Sequence, residues 1–178
     1  MAVGTKDRAN QTVRDLVISM FVVGLFVAFL YLIVLRPTPD PVREVDVSGP
    51  AGVAAASEVF DVLVPVGLPD GWRATSARLT PGPEEGTGTW FNGYVNPNGD
   101  FVAVVQQDFD LESFLAEQTD DGTLEGNVSV SGDTWQRYYS PTTGERSIVL
   151  SGPEVTTVVT GTVPYEELEQ FAALLRTA

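Results

Sequence analysis

The chain has 178 residues, of which 43% are hydrophobic and 19% charged, enough for one ordinary globular domain and too little for a repeat array or a multidomain enzyme. Ten Lys and Arg stand against 24 Asp and Glu, a formal charge of -14 that disfavours a nucleic-acid partner, because phosphate binding relies on clustered cations. There is no Cys and no His, which removes thiolate nucleophiles, disulfides, the usual zinc ligands and the commonest general base.

Residues 1–15 carry Lys6, Arg8 and Arg14 and read as a short cytoplasmic tail. From Leu16 to Leu35 the chain runs 20 residues without a charge. At about 1.5 Å per residue this spans about 30 Å, the thickness of a hydrocarbon core, and predicts a single transmembrane helix that anchors the protein in a lipid bilayer. A cleavable signal peptide fits less well, since its apolar core is shorter and ends in small residues, whereas Arg36-Pro37-Thr38-Pro39-Asp40 follows here. Three cations before the helix against Arg36 and Arg43 after it orient the N-terminus to the cytoplasm and the remainder outside the cell membrane. Beyond residue 35 there are 7 basic and 22 acidic residues, a net charge of -15. Residues 36–50 form a Pro-rich linker that cannot continue the helix, and residues 51–178 form the extracytoplasmic domain.

Within that domain, the small-residue stretch from Ala51 suggests a short helix or ordered arm, and Val62 to Val66 a strand ending at Gly67-Leu68-Pro69-Asp70-Gly71. Trp72–Leu79, Trp90–Val95 and Phe101–Gln107 are strand-like, and Asn96-Pro97-Asn98-Gly99-Asp100 makes the last two a hairpin. Asp110–Thr119 reads as an amphipathic helix capped by Asp110 and ended by Asp120-Asp121-Gly122. Three more strands, Thr134–Tyr139, Arg146–Ser151 and Val155–Gly161, form a meander. The closing segment from Pro164 to Arg176 places Leu168, Phe171, Ala172 and Leu175 on one helical stripe. These patterns predict an α+β domain, an antiparallel sheet packed against a C-terminal helix on one face.

Five segments, QTVRDLVIS, LPDGW, TWFNGYVNPNGDF with Val105-Gln106-Gln107, Gly132 with Trp135, and TTVVTGTVPYEEL, together resemble the actinobacterial family called domain of unknown function 4245. The resemblance covers nearly the whole chain. It implies single-pass membrane topology and transfers no catalytic residue.

Beyond residue 15 there is no Lys either, so Ser-His-Asp, Cys-His and Ser-Lys systems are excluded outside the membrane. No catalytic residue, metal ligand or cofactor site is assigned. Asp108, Asp110 and Glu112, or Asp120 and Asp121, could offer oxygens to calcium, yet neither group matches the twelve-residue loop, and a helix start and a solvated loop explain both. The Asn127-Val128-Ser129 sequon is read as incidental. Trp72, Trp90, Phe91, Tyr94, Trp135, Tyr138 and Tyr139 are the aromatics most able to form a recognition surface, and Trp90, Tyr94, Trp135, Tyr138 and Tyr139 are the candidate partner-binding residues, because exposed Tyr and Trp dominate interface hot spots, although the same residues would also fill a small core. Alternation puts Trp135 and Tyr139 on one sheet face and Tyr138 on the other.

The expected function is therefore non-enzymatic: a membrane-anchored extracytoplasmic binding or accessory domain of a cell-envelope complex, with an envelope protein as partner and no nucleic acid. A ligand-binding or sensory module is one alternative, and a carboxylate-dependent wall-glycan hydrolase is another.

Overall fold

The computed structural model describes residues 18–27, 46–57 and 59–178, and divides the chain into two units, Met1–Pro41 and Val42–Ala178. In the first unit residues 18–27 are helical and exposed. The rest of the charge-free run, the tail and most of the Pro-rich linker lie outside the described residues. Among the described residues no helix is long and apolar enough to cross a membrane.

The second unit is built on one antiparallel sheet of seven strands in the order β2-β3-β4-β8-β7-β6-β5. The strands are β2 (Arg73–Pro81), β3 (Gly88–Val95), β4 (Phe101–Gln107), β5 (Thr123–Val130), β6 (Asp133–Tyr139), β7 (Arg146–Ser151) and β8 (Thr156–Gly161). Two meanders, β2-β3-β4 and β5-β6-β7-β8, join where β8 pairs with β4, Val104 lying opposite Val159 and Val105 opposite Val158. Every residue of β8 is buried. A strand covered on both faces cannot alternate polar with apolar, and TTVVTG satisfies this with β-branched residues that suit a pleated surface.

The two faces are covered by different elements. Helix α3 (Tyr165–Ala173) lies on the face formed by Tyr94, Val102, Val104, Trp135, Ile148 and Val159, and inserts Leu168, Phe171 and Ala172. Helix α2 (Leu111–Gln118) covers part of the opposite face, where Phe114 meets Ala103, Val105, Val149 and Val158. The C-terminal helix packs on one face as expected, and α2 supplies a cover on the other because the central strands are apolar on both sides. The alternation in β6 is as expected, with Trp135 and Tyr138 in opposite clusters. Asp110 precedes α2 in a left-handed conformation and makes no side-chain cap, so the capping expected of it is not observed.

Helix α1 (Ser48–Ala56) packs Ala51 and Ala54 against Trp90 and Val62. Next comes β1 (Leu63–Pro65), which pairs antiparallel with β9 (Leu175–Thr177), Pro65 opposite Leu175 and Leu63 opposite Thr177. The closing helix therefore ends at Ala173, short of the expected Arg176. Leu175 is buried in the strand and also continues the apolar helical stripe, so the stripe alone does not reveal that the chain leaves the helix to pair with β1.

Two substitutions check this packing. Phe171, 2% exposed and edge-on to Tyr94 with ring centroids 5.4 Å apart, should cost about 3–5 kcal/mol as Phe171→Ala. Trp90 is fully buried and donates its indole N–H to the Leu63 carbonyl at 3.0 Å, so Trp90→Phe should cost about 1–3 kcal/mol by leaving that carbonyl unpartnered. Denaturant midpoints of the purified 42–178 unit measure both, and unchanged midpoints would contradict the packing described.

Candidate functional site

Two turns and one helix meet at one end of the sheet. In the first turn Gly67 and Gly71 have φ of 79° and 90°, and the Trp72 N–H returns to the Pro69 carbonyl. A side chain at Gly71 would place its Cβ 2.8 Å from the Pro97 ring, so glycine is required both by conformation and by the approach of the second turn. That second turn is organised by Asn96, 1% exposed. Its Oδ1 accepts the N–H groups of Asn98 and Asp100 at 2.9 and 2.8 Å. Its Nδ2 donates to Asp100 at 3.1 Å and to Glu167 of α3 at 2.9 Å. One buried amide thus fastens the β3-β4 turn to the first turn of the helix.

Between the first turn and α3 opens a cleft of about 620 Å³. Leu68, Pro69 and Trp72 form one wall; Pro164, Gln170, Phe171, Ala173 and Leu174 form the other, with Glu166 and Glu167 among the lining residues. Trp72 is half-buried and tilted by 38° against Phe171, the ring centroids 5.6 Å apart. None of the described residues lining the cleft is basic. A mostly apolar concavity of this size with a few convergent polar groups has the usual form of a binding site.

On a different face of α3, a polar cluster fixes the helix to strands β5–β7. The Tyr165 hydroxyl lies 2.9 Å from a Glu125 carboxylate oxygen and 2.8 Å from the Tyr138 carbonyl, both acceptors for its proton. Burial, then the Glu125 carboxylate, push the Tyr165 phenol upward from its ordinary range. Arg137 is ion-paired with Glu169, and its guanidinium stands 5.0 Å from the Tyr165 ring centroid. Arg146 covers Tyr139 at 5.4 Å. Each group has a partner within the cluster, and its evident work is to orient the helix that walls the cleft.

The five aromatics singled out from the sequence are not brought together. Trp90, Tyr94 and Trp135 are 0%, 5% and 4% exposed and offer no surface to a partner in this fold. Trp90 sits under α1, whereas Tyr94 and Trp135 belong to the core beneath α3. Tyr138 and Tyr139 are half-buried on opposite faces of β6. The exposed-aromatic surface expected of these strands therefore gives way to core packing at three of its five positions. The cleft is lined instead by Leu68, Pro69 and Trp72 of LPDGW and by Pro164, Glu166 and Glu167 of PYEEL. Both segments stand out in the sequence; their adjacency, across about a hundred residues, does not. Of the carboxylates considered for calcium, Asp108 accepts the Gly88 N–H at 3.0 Å and Asp120 accepts the Ser140 hydroxyl at 2.7 Å.

The chain belongs to the family described as Protein of unknown function (DUF4245), whose model matches residues 8–175. No curated protein matches it. Among solved structures, it is similar to MucB in the crystal structure of MucB in complex with MucA(peri), at 16% identity over 65% of this chain and 36% of that one, with a TM-score of 0.39. It is also similar to the complex structure of Pseudomonas aeruginosa MucA/MucB, at 17% identity over 66% and 36%, with a TM-score of 0.36. The chain thus spans about a third of the length of these matched chains.

Behind the cleft floor, burial pushes the Tyr94 phenol up to about 12, against the opposing hydrogen bond donated by Asn92 at 2.8 Å. Its unfolded value is about 10, so the unfolded chain releases this proton first as pH rises. Stability present below pH 10 should therefore fall between about pH 10 and 12, with Tyr165 contributing in the same direction. Chemical denaturation across that range should give a shallower slope for Tyr94→Phe; an identical slope would remove Tyr94 as the source.

Proposed function

We propose that this protein is a membrane-anchored, extracytoplasmic accessory domain that binds another component of the cell envelope through the cleft between the LPDGW turn and α3, without catalysing a reaction. The cleft is the observation that carries the reading. Its walls are apolar side chains held from beneath by a packed aromatic series, Trp72 on Phe171 on Tyr94, so the surface is preformed and its burial by a partner costs little ordering. The anchor rests on the charge-free run Leu16–Leu35, and the orientation on the flanking cations. The lack of His and Cys throughout, and of Lys beyond residue 15, supports a binding role over nucleophilic chemistry.

The test is site-specific photocrosslinking of the full chain in intact cells. A crosslinker at Gln170, exposed and lining the cleft, should give a discrete adduct with an envelope component, and one at Thr142, exposed on the β6-β7 turn, should not. Trp72→Ala should reduce the Gln170 adduct at least fivefold while the melting transition persists. Protease added to spheroplasts should release the adduct-bearing domain. Equal labelling at both positions, or protection of the domain, would overturn the corresponding half of the proposal; turnover of a wall glycan by the purified protein would favour the hydrolase.

A further inference from the structure

Resting on that reading of the cleft, we propose that its occupant is a polypeptide segment of another envelope protein that presents an arginine or lysine next to an apolar side chain. The charge of the lining is one-sided. Glu166 and Glu167 contribute carboxylates and none of the described lining residues is basic, within a region that carries a net charge of -15 beyond residue 35. Glu167 is engaged by the Asn96 amide, which fixes its position. Glu166 is exposed, and its carboxylate remains available to a cation from outside. The two acids also occupy the first turn of α3, so they already complement the positive end of the helix, and the site does not invite a second anion.

Trp72 adds an independent attraction. Phe171 packs against it, yet the indole is only half-buried and lines the cleft. Aromatic faces draw cations, Arg above all, and the protein uses that preference internally, with Arg78 standing 4.2 Å above the Phe91 ring. Leu68, Pro69 and Leu174 meanwhile provide walls that only an apolar group rewards. A polypeptide supplies a cation and an apolar side chain within one or two residues. Anionic lipid headgroups and nucleic acids are repelled by the same field that attracts the basic segment.

The full chain reconstituted in zwitterionic phosphatidylcholine nanodiscs can be titrated with a fluorescein-labelled hexapeptide of alternating Leu and Arg, and with counterparts in which Glu or Gln replaces Arg. The Arg peptide should bind at least tenfold more tightly than the Glu peptide, with the Gln peptide between them. Glu166→Gln should weaken the Arg peptide about threefold, as expected for an exposed ion pair, and leave the Gln peptide unchanged. Glu154→Gln, at an exposed carboxylate outside the cleft, should have no effect. Equal affinities for the Arg and Glu peptides, equal losses at Glu154 and Glu166, or preferential capture of phosphatidylglycerol vesicles would overturn the inference. If those results come with an intact Gln170 crosslink, the cleft remains the binding site and only the occupant is wrong. If the crosslink is also absent, both readings fall.

Discussion

The arrangement at this end of the molecule depends on how one residue of a three-residue strand satisfies its backbone. Leu63 directs its N–H and carbonyl away from β9 and toward the main sheet, where side chains receive them. The N–H donates to the Gln106 side-chain oxygen at 2.7 Å, and the carbonyl accepts the Trp90 indole N–H at 3.0 Å. Trp90 and Gln106 lie directly opposite each other on β3 and β4, so one cross-strand pair takes the place of a neighbouring strand. Both are fully buried, where an unpaired peptide group would cost about 1–3 kcal/mol, and the Gln106 amide nitrogen also reaches the Asp61 carbonyl and the Thr157 hydroxyl. β1 held in this way becomes the template for β9, β9 terminates α3 after Ala173, and the end of α3 forms the far wall of the cleft. The path from a buried amide to the cleft runs entirely through backbone pairing and helix termination.

The same core contains a group treated less generously. Asn92, between Trp90 and Tyr94 on β3, donates to the Tyr94 hydroxyl, while its own carbonyl oxygen has no hydrogen-bond partner among the described residues. A polar side chain with one unsatisfied atom in an otherwise apolar layer is a cost that a valine would avoid. What it provides is a fixed rotation for the Tyr94 ring, whose edge meets Phe171, whose own ring in turn meets Trp72. The orientation of the half-buried Trp72 is thus set three side chains deep.

Elements whose burial repeats with a clear period were legible in the sequence. The strands at Phe101–Gln107 and Arg146–Ser151 fall where expected, as does the hairpin turn at Asn96–Asp100, because aromatic or β-branched runs between Gly, Pro and Asn have few alternatives. Two elements escaped for opposite reasons. Strand β5, TLEGNVSV, lies at the sheet edge with most side chains exposed and a bulge between Leu124 and Gly126, so it carries little apolar signal. Strand β9 was hidden inside an apolar helical stripe, since Leu175 is buried in the strand and also continues that stripe. The candidate site was legible only as separate words. LPDGW and PYEEL are conspicuous locally, but what makes them a site is a long-range approach set by β1-β9 pairing, which no local pattern encodes. The large aromatics of β3 and β6, conversely, were ambiguous between surface and core, and the covering helices α1 and α3 settled three of them as core.

Electrostatics completes the separation between structure and recognition. Beyond residue 35 the basic residues are few, and several are committed within the fold: Arg78 to the Phe91 ring, Arg137 to Glu169 and Tyr165, Arg146 to Tyr139, and Arg176 to backbone carbonyls at the end of α3. These contacts hold elements together, and with 7 basic against 22 acidic residues beyond residue 35 the net charge stays strongly negative. A domain in this condition repels anionic surfaces over about the 8–10 Å of a Debye length and attracts cationic segments over the same range. Long-range charge of that kind chooses among partners and speeds encounter, but it holds nothing in place. Retention requires desolvated apolar contact, which the fold concentrates beside the exposed Glu166, between Trp72 and the last turn of α3. In the proposed reading, charge selection and apolar capture therefore meet in one cleft, where each supplies what the other lacks.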